Sequence, residues 1–113
     1  MRAGWRDFGA RVFGAIAMIA ATSALAQGSA EPPGDAGRGE TIARRWCAAC
    51  HVVAADQTRA AAAAPSFMAV AARVGSPDSL KAFLADPHPL MPDMSLTRAE
   101  IADLTAYIVS FRR

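Results

Sequence analysis

One pentapeptide constrains this chain more than its length or composition does. Cys47-Ala48-Ala49-Cys50-His51 holds both cysteines of the sequence, and on a helix residues at i, i+3 and i+4 share a face. Two thiols one turn apart, followed at once by an imidazole, suit covalent haem attachment. Each sulfur can add across one vinyl group while the histidine presents a ring nitrogen to the iron. Ala48 and Ala49 are too small to obstruct the macrocycle. An exported chain with two cysteines could instead close a disulfide, or use the pair for thiol exchange as thioredoxin-like proteins do. Such redox motifs sit on a βαβ pattern, however, and no strand periodicity is found here. A zinc site needs two further ligands, and His88 is the only other histidine.

The first residues speak for export. Arg2, Arg6 and Arg11 precede an apolar run from Val12 to Ala21, which leads to Ala24-Leu25-Ala26. That order is the pattern of a secretory signal cleaved after Ala26. The run is shorter than the roughly 20 residues a membrane-spanning helix needs, and the competing reading is an uncleaved N-terminal anchor. The expected organisation is therefore a leader over 1–26, a flexible lead-in over 27–34 rich in Gly, Pro and Ser, and a single domain over 35–113. A domain this small has a thin core and gains from a cofactor. The leader takes three arginines and one aspartate, so the net charge of +2 belongs to the whole chain and the remainder is balanced. Nothing favours nucleic-acid binding, which requires a concentrated basic stripe.

Helical signals fill the domain, which predicts an all-α fold of about four short helices. Asp35 stands as a cap before a helix whose Gly39, Ala43, Trp46, Cys47 and Cys50 share one face. Residues 52–64 read as a loop with room for a helical turn. Pro65-Ser66 opens a short helix with Phe67, Val70, Ala71 and Val74 on one side, ended by Gly75. Ser76-Pro77 starts another, with Leu80, Phe83 and Leu84 as its buried side and Asp86-Pro87 as its stop. Three prolines between Pro87 and Pro92 make a stiff, shaped loop. Thr97 and Glu100 form a capping box for a last helix with Ile101, Leu104, Ile108 and Phe111 on its face. Arg112 and Arg113 then suit the dipole at its end.

From about Asp35 to Phe111 the sequence resembles the class I mono-haem cytochromes c. The resemblance implies a cytochrome c-like fold wrapped around one covalent haem c, with iron held by His51 on one side. In that family a glycine eight residues before the first haem cysteine packs against an aromatic of the last helix, and Gly39 and Tyr107 stand in those places. The family often has an aromatic four residues before that cysteine, where this chain has Ala43; Trp46 is the candidate to compensate. Pro65 matches the proline whose carbonyl accepts from the axial histidine, which fixes the ring and its tautomer. Met91-Pro92 matches the Met-Pro step that supplies the sixth ligand. Met94 and His88 remain the alternatives to Met91, and Met68 is a helix residue or a filler of the haem pocket. Cys47, Cys50, His51, Met91 and Pro65 are thus the expected cofactor-binding set, with His51 and Met91 on the metal. Phe67, Val70, Leu80, Phe83, Leu84, Leu90 and Leu96 are expected to line the pocket or core. Arg59, Arg73 and Lys81 are either partners of the haem propionates or solvated surface charges.

With both axial positions filled, iron has no open site and the molecule can only gain and lose an electron. The expectation is a monomeric periplasmic carrier, not an enzyme, that meets redox proteins such as a dehydrogenase or terminal oxidase briefly and touches membrane only through them unless the leader stays attached. The alternatives are an electron-accepting cytochrome subunit of a periplasmic dehydrogenase, and an open-site haem protein that binds gas or peroxide.

Overall fold

The computed structural model describes residues 30–113 except Ala62, His88 and Arg113. The leader over 1–26, the start of the lead-in and the alternative ligand His88 lie outside the described residues. Within them the chain is all-α, with four short helices and no strand, and none of those helices is long and apolar enough to cross a membrane.

Each helix begins where a polar side chain takes an orphan amide. Asp35 accepts from the Arg38 N–H at 2.8 Å and starts α1, Ala36–Ile42. Ser66 accepts from Ala69 and starts α2, Phe67–Arg73. Ser76 and Ser79 form a reciprocal box ahead of α3, Pro77–Ala85, whose first residue is the proline. Thr97 and Glu100 do the same for α4, Arg98–Val109. Between α1 and the pentapeptide the backbone widens. Ala43–Cys47 forms a π-helical turn in which the Ala48 N–H reaches back to the Ala43 carbonyl at 3.0 Å. A wider turn needs more residues to return to the same face. Ala43 and Cys47, four apart, are therefore both buried, while Trp46 is 54 % exposed. Trp46 thus does not fill the space left at Ala43; the two helices close on the small side chain instead.

Helix α4 is the element the others pack around, and it is buried on more than the single face its periodicity gives. Residues 101–105 are all buried, as are Tyr107 and Ile108. Phe111 is only partly so, and Phe83 of α3 is 39 % exposed beside buried Leu80 and Leu84. The crossing of α1 over α4 depends on Gly39. A Cβ at that position would overlap the Asp103 carbonyl oxygen and meet the Tyr107 Cβ at 2.7 Å, so the two backbones touch. Gly34 makes a similar approach to the Ala102 carbonyl, which ties the chain to α4 before α1 begins.

A buried carboxylate fastens the same crossing. Asp103, 5 % exposed, accepts from Arg38 Nε at 2.8 Å, from Arg38 Nη2 at 3.0 Å and from the Asp35 amide at 2.6 Å. These donors hold the Asp103 carboxyl below the usual carboxylate range, with the Arg38 hydrogen bond the largest cause. At the other end Arg112 donates to the carbonyls of Ala71 and Val74 at 3.2 and 2.6 Å. It closes the end of α2, a neighbouring helix, and not the dipole of its own as the sequence suggests; Arg113 lies outside the described residues.

Gly39→Ala should destabilise the protein by about 1–3 kcal/mol through overpacking in a contact with no slack, whereas Gly75→Ala, with nothing within 4 Å and an ordinary φ, should be neutral or better; urea unfolding of both variants checks this. Because the unfolded Asp103 carboxyl binds a proton before the folded one, the stability it gives is present above its ordinary value of 3.8 and is lost as pH falls through the depressed folded value. Asp103→Asn should accordingly be less stable than the native protein at neutral pH, and the gap should narrow in acid unfolding below about pH 4.

Candidate functional site

The π-helical turn ends on Cys47, and the pentapeptide closes on itself from there. The Cys47 carbonyl accepts from the Cys50 N–H at 3.1 Å and the His51 N–H at 2.8 Å, which makes one tight turn that sets both sulfurs and the imidazole on the wall of a single cavity. Its volume is about 740 Å³, within the roughly 300–1,000 Å³ usual for small-molecule and cofactor sites. Val70 and Val74 of α2 and Leu80 and Phe83 of α3 supply apolar wall, Trp46 flanks Cys47, and Met91 and Met94 come from the segment between α3 and α4. Leu90 also reaches the rim, although it is 93 % exposed. Phe67 and Leu84 belong to the core, and Leu96 packs against it half-buried. Met68 packs against the core beside Ala72 and Phe111 and does not line this cavity.

The histidine ring is held on two sides. Its Nδ1 lies 2.6 Å from the Pro65 carbonyl oxygen; since a carbonyl only accepts, Nδ1 carries a proton, and of the two neutral tautomers the bond selects the one with its lone pair on Nε2. Its ring meets Phe67 at 5.6 Å between centroids, Phe67 meets Tyr107 at 6.3 Å, and Tyr107 meets Phe111 at 5.1 Å. The line of rings couples the histidine to α4. Tyr107 in turn donates its hydroxyl to the Val53 carbonyl at 2.8 Å, inside the core, so the loop after the pentapeptide is anchored to the same helix.

Gln57 organises that loop, and no feature of the sequence singles it out. Its Oε1 accepts from the Val53 amide at 3.0 Å, and its Nε2 faces the carbonyls of His51, Ala48 and Arg59 at 2.9, 3.1 and 3.1 Å. One side chain thus satisfies carbonyls of the pentapeptide turn itself. Arg44 adds an outer tie, from Glu40 at 2.8 Å to Asp56 at 3.0 Å.

Burial, reinforced by the neighbouring Cys50, pushes the Cys47 thiol up to about 11. Thiol exchange requires the opposite shift, since the thiolate is the nucleophile. Among the described residues no three or more His, Cys, Asp or Glu side chains gather to hold a bare metal ion. The donor set instead fits an apolar macrocycle that brings its own metal. It offers two sulfurs at the wall, an imidazole fixed through Nδ1, thioethers in the same cavity, and apolar side chains between them.

The arrangement agrees with what known proteins share with this chain. Residues 34–108 match the family described as cytochrome c oxidase, cbb3-type, subunit III. A curated relative, cytochrome c-552 of Bradyrhizobium diazoefficiens, is 53 % identical over 79 residues, which cover 69 % of this chain and 76 % of the relative. No solved structure matches.

Gln57→Ala leaves the part-buried carbonyls of Ala48 and His51 and the Val53 amide without their partner, at a cost of about 1 kcal/mol. Its effect should be local first: hydrogen exchange at the Val53 amide should accelerate ahead of amides in α4, and equal protection in native and variant protein would show that Gln57 is dispensable.

Proposed function

The chain belongs to the cbb3-type cytochrome c oxidase subunit III family and is a small c-type cytochrome domain, and from that premise we propose that it carries single electrons in the periplasm between a donor and an acceptor such as a terminal oxidase. It is an electron-transfer protein and not an enzyme. Its cofactor is one haem c, bound through the sulfurs of Cys47 and Cys50, and when bound that group supplies an iron centre that cycles by one electron.

The observation that carries this reading is the bond from His51 Nδ1 to the Pro65 carbonyl, on a residue that shares its cavity with two cysteines and two methionines. The carbonyl prepares His51 to act through Nε2 and strengthens it as a donor. Met91 is our choice for the opposite position. It is partly buried on the cavity wall, and Pro92 limits the freedom that a weak thioether would otherwise have to lose on binding. Thioether ligation together with an apolar wall favours the reduced state, so the potential is high for a haem protein. The leader over 1–26 sends the chain to the periplasm and is removed there.

A second reading keeps the site and changes its company. The family description names an oxidase subunit, which supports a chain held within an oxidase or dehydrogenase complex. Size exclusion of native extract separates the two, because a carrier elutes near its own mass and a subunit elutes with its complex.

In Met91→Ala the reduced protein should bind carbon monoxide and the midpoint potential should fall, while native protein and Met94→Ala should do neither. Carbon monoxide binding by the native protein would favour an open-site haem protein. Unchanged spectra in Met91→Ala would move the sixth ligand to Met94 or His88.

A further inference from the structure

The segment that carries Met91 and Met94 ends on a backbone outlier. Ser95 has φ 51°, and among the described residues no other non-glycine residue has a positive φ. That left-handed region is disfavoured for a residue with a Cβ, and it persists where the surroundings over-determine it. Here the determinant is local and open to solvent. The Asp93 carboxylate accepts from the Ser95 N–H at 2.7 Å, and both residues are exposed, so the side chain stands in for a backbone turn.

The turn joins a fixed element to the cavity wall. On one side Leu96 packs against the core, and Thr97 is held by Glu100 as the cap of α4. On the other side Met91, Pro92 and Met94 line the cavity. Pro92 has a fixed φ, and Met91, as the residue before a proline, is restricted to extended backbone. The freedom left between the methionines and the α4 cap therefore lies in the backbone from Asp93 to Ser95, which is where the carboxylate holds.

We infer that Asp93 is a positioning residue for the methionine ligand: by holding the Ser95 amide it closes the turn that keeps Met91 on the cavity wall. This rests on the haem and methionine reading above and adds the device that resists release of the thioether. Asp93 does not line the cavity, so it acts through the backbone. A bond made only in the closed loop lowers the population of the open one, and a net hydrogen bond sustains a ratio of about fivefold.

The test follows cyanide binding to the ferric, haem-loaded protein at low cyanide, where the rate is proportional to the population in which the methionine has let go. Asp93→Ala should bind cyanide about fivefold faster than native. Two further variants separate the turn from the charge. Asp93→Asn loses the charge but keeps an oxygen that accepts from the Ser95 amide, and it should bind at close to the native rate. Asp93→Glu keeps the charge on a side chain too long for the turn, and it should behave as Asp93→Ala does. A native rate in Asp93→Ala would overturn the inference, and so would fast binding in Asp93→Asn with a native rate in Asp93→Glu. Should Asp93→Ala fail to mature, the other two variants decide alone, since equal rates in them would overturn it. A ferric native protein without the far-red absorption of thioether-ligated haem would count against a methionine ligand, a separate result that is visible before any variant is made.

Discussion

The backbone contact between Gly39 and the Asp103 carbonyl is the constraint on which the rest of the molecule depends. Two helices can approach this closely only where one lacks a side chain, and the approach lets a short chain assemble a core from few large residues. It also fixes where α1 points. The π-helical turn and the pentapeptide follow directly from α1, so the position of both sulfurs and of His51 is set by how α1 lies on α4. The Asp103–Arg38 pair and the Asp35 amide lock the same crossing with charge-assisted hydrogen bonds, and they link the first cap of the domain to the middle of its last helix.

A second set of contacts carries that rigidity into the site. The rings of His51, Phe67, Tyr107 and Phe111 run toward α4, the Tyr107 hydroxyl holds Val53, and Gln57 binds the carbonyls of the turn. Three separate attachments therefore limit how far the imidazole can move. For an electron carrier this has a physical use. A metal ligand that does not reorient when the charge on the metal changes leaves less rearrangement to accompany each transfer. The methionine side of the cavity is built differently, from a loop stiffened by prolines instead of a packed helix.

Much of this was legible in sequence because it rests on local rules. The caps Asp35, Ser66, Ser76 and Thr97 declare themselves by residue type and spacing, and the helices they start occupy the expected segments. The approach of Gly39 to Tyr107 was readable only through resemblance, since nothing in a lone glycine announces a partner sixty-odd residues away. What stayed hidden depends on tertiary geometry. Trp46 was placed on the core face by a period of 3.6, and the π-helical turn rotates it out. Asp103 is not marked by the periodicity of α4, yet three helices pack on α4 and its carboxylate meets Arg38 inside. Gln57 and Arg112 act on backbone carbonyls, and carbonyls leave no mark in a sequence.

Covalent attachment through the pentapeptide would leave the porphyrin on the polypeptide by bonds that outlast the fold. The mass of the protein, matured in a host that can attach haem and then denatured in acid and extracted with organic solvent, tests it most directly. Thioether links to Cys47 and Cys50 require the polypeptide mass plus one haem to survive that treatment. Recovery of the bare polypeptide, with the pigment in the solvent, would contradict it.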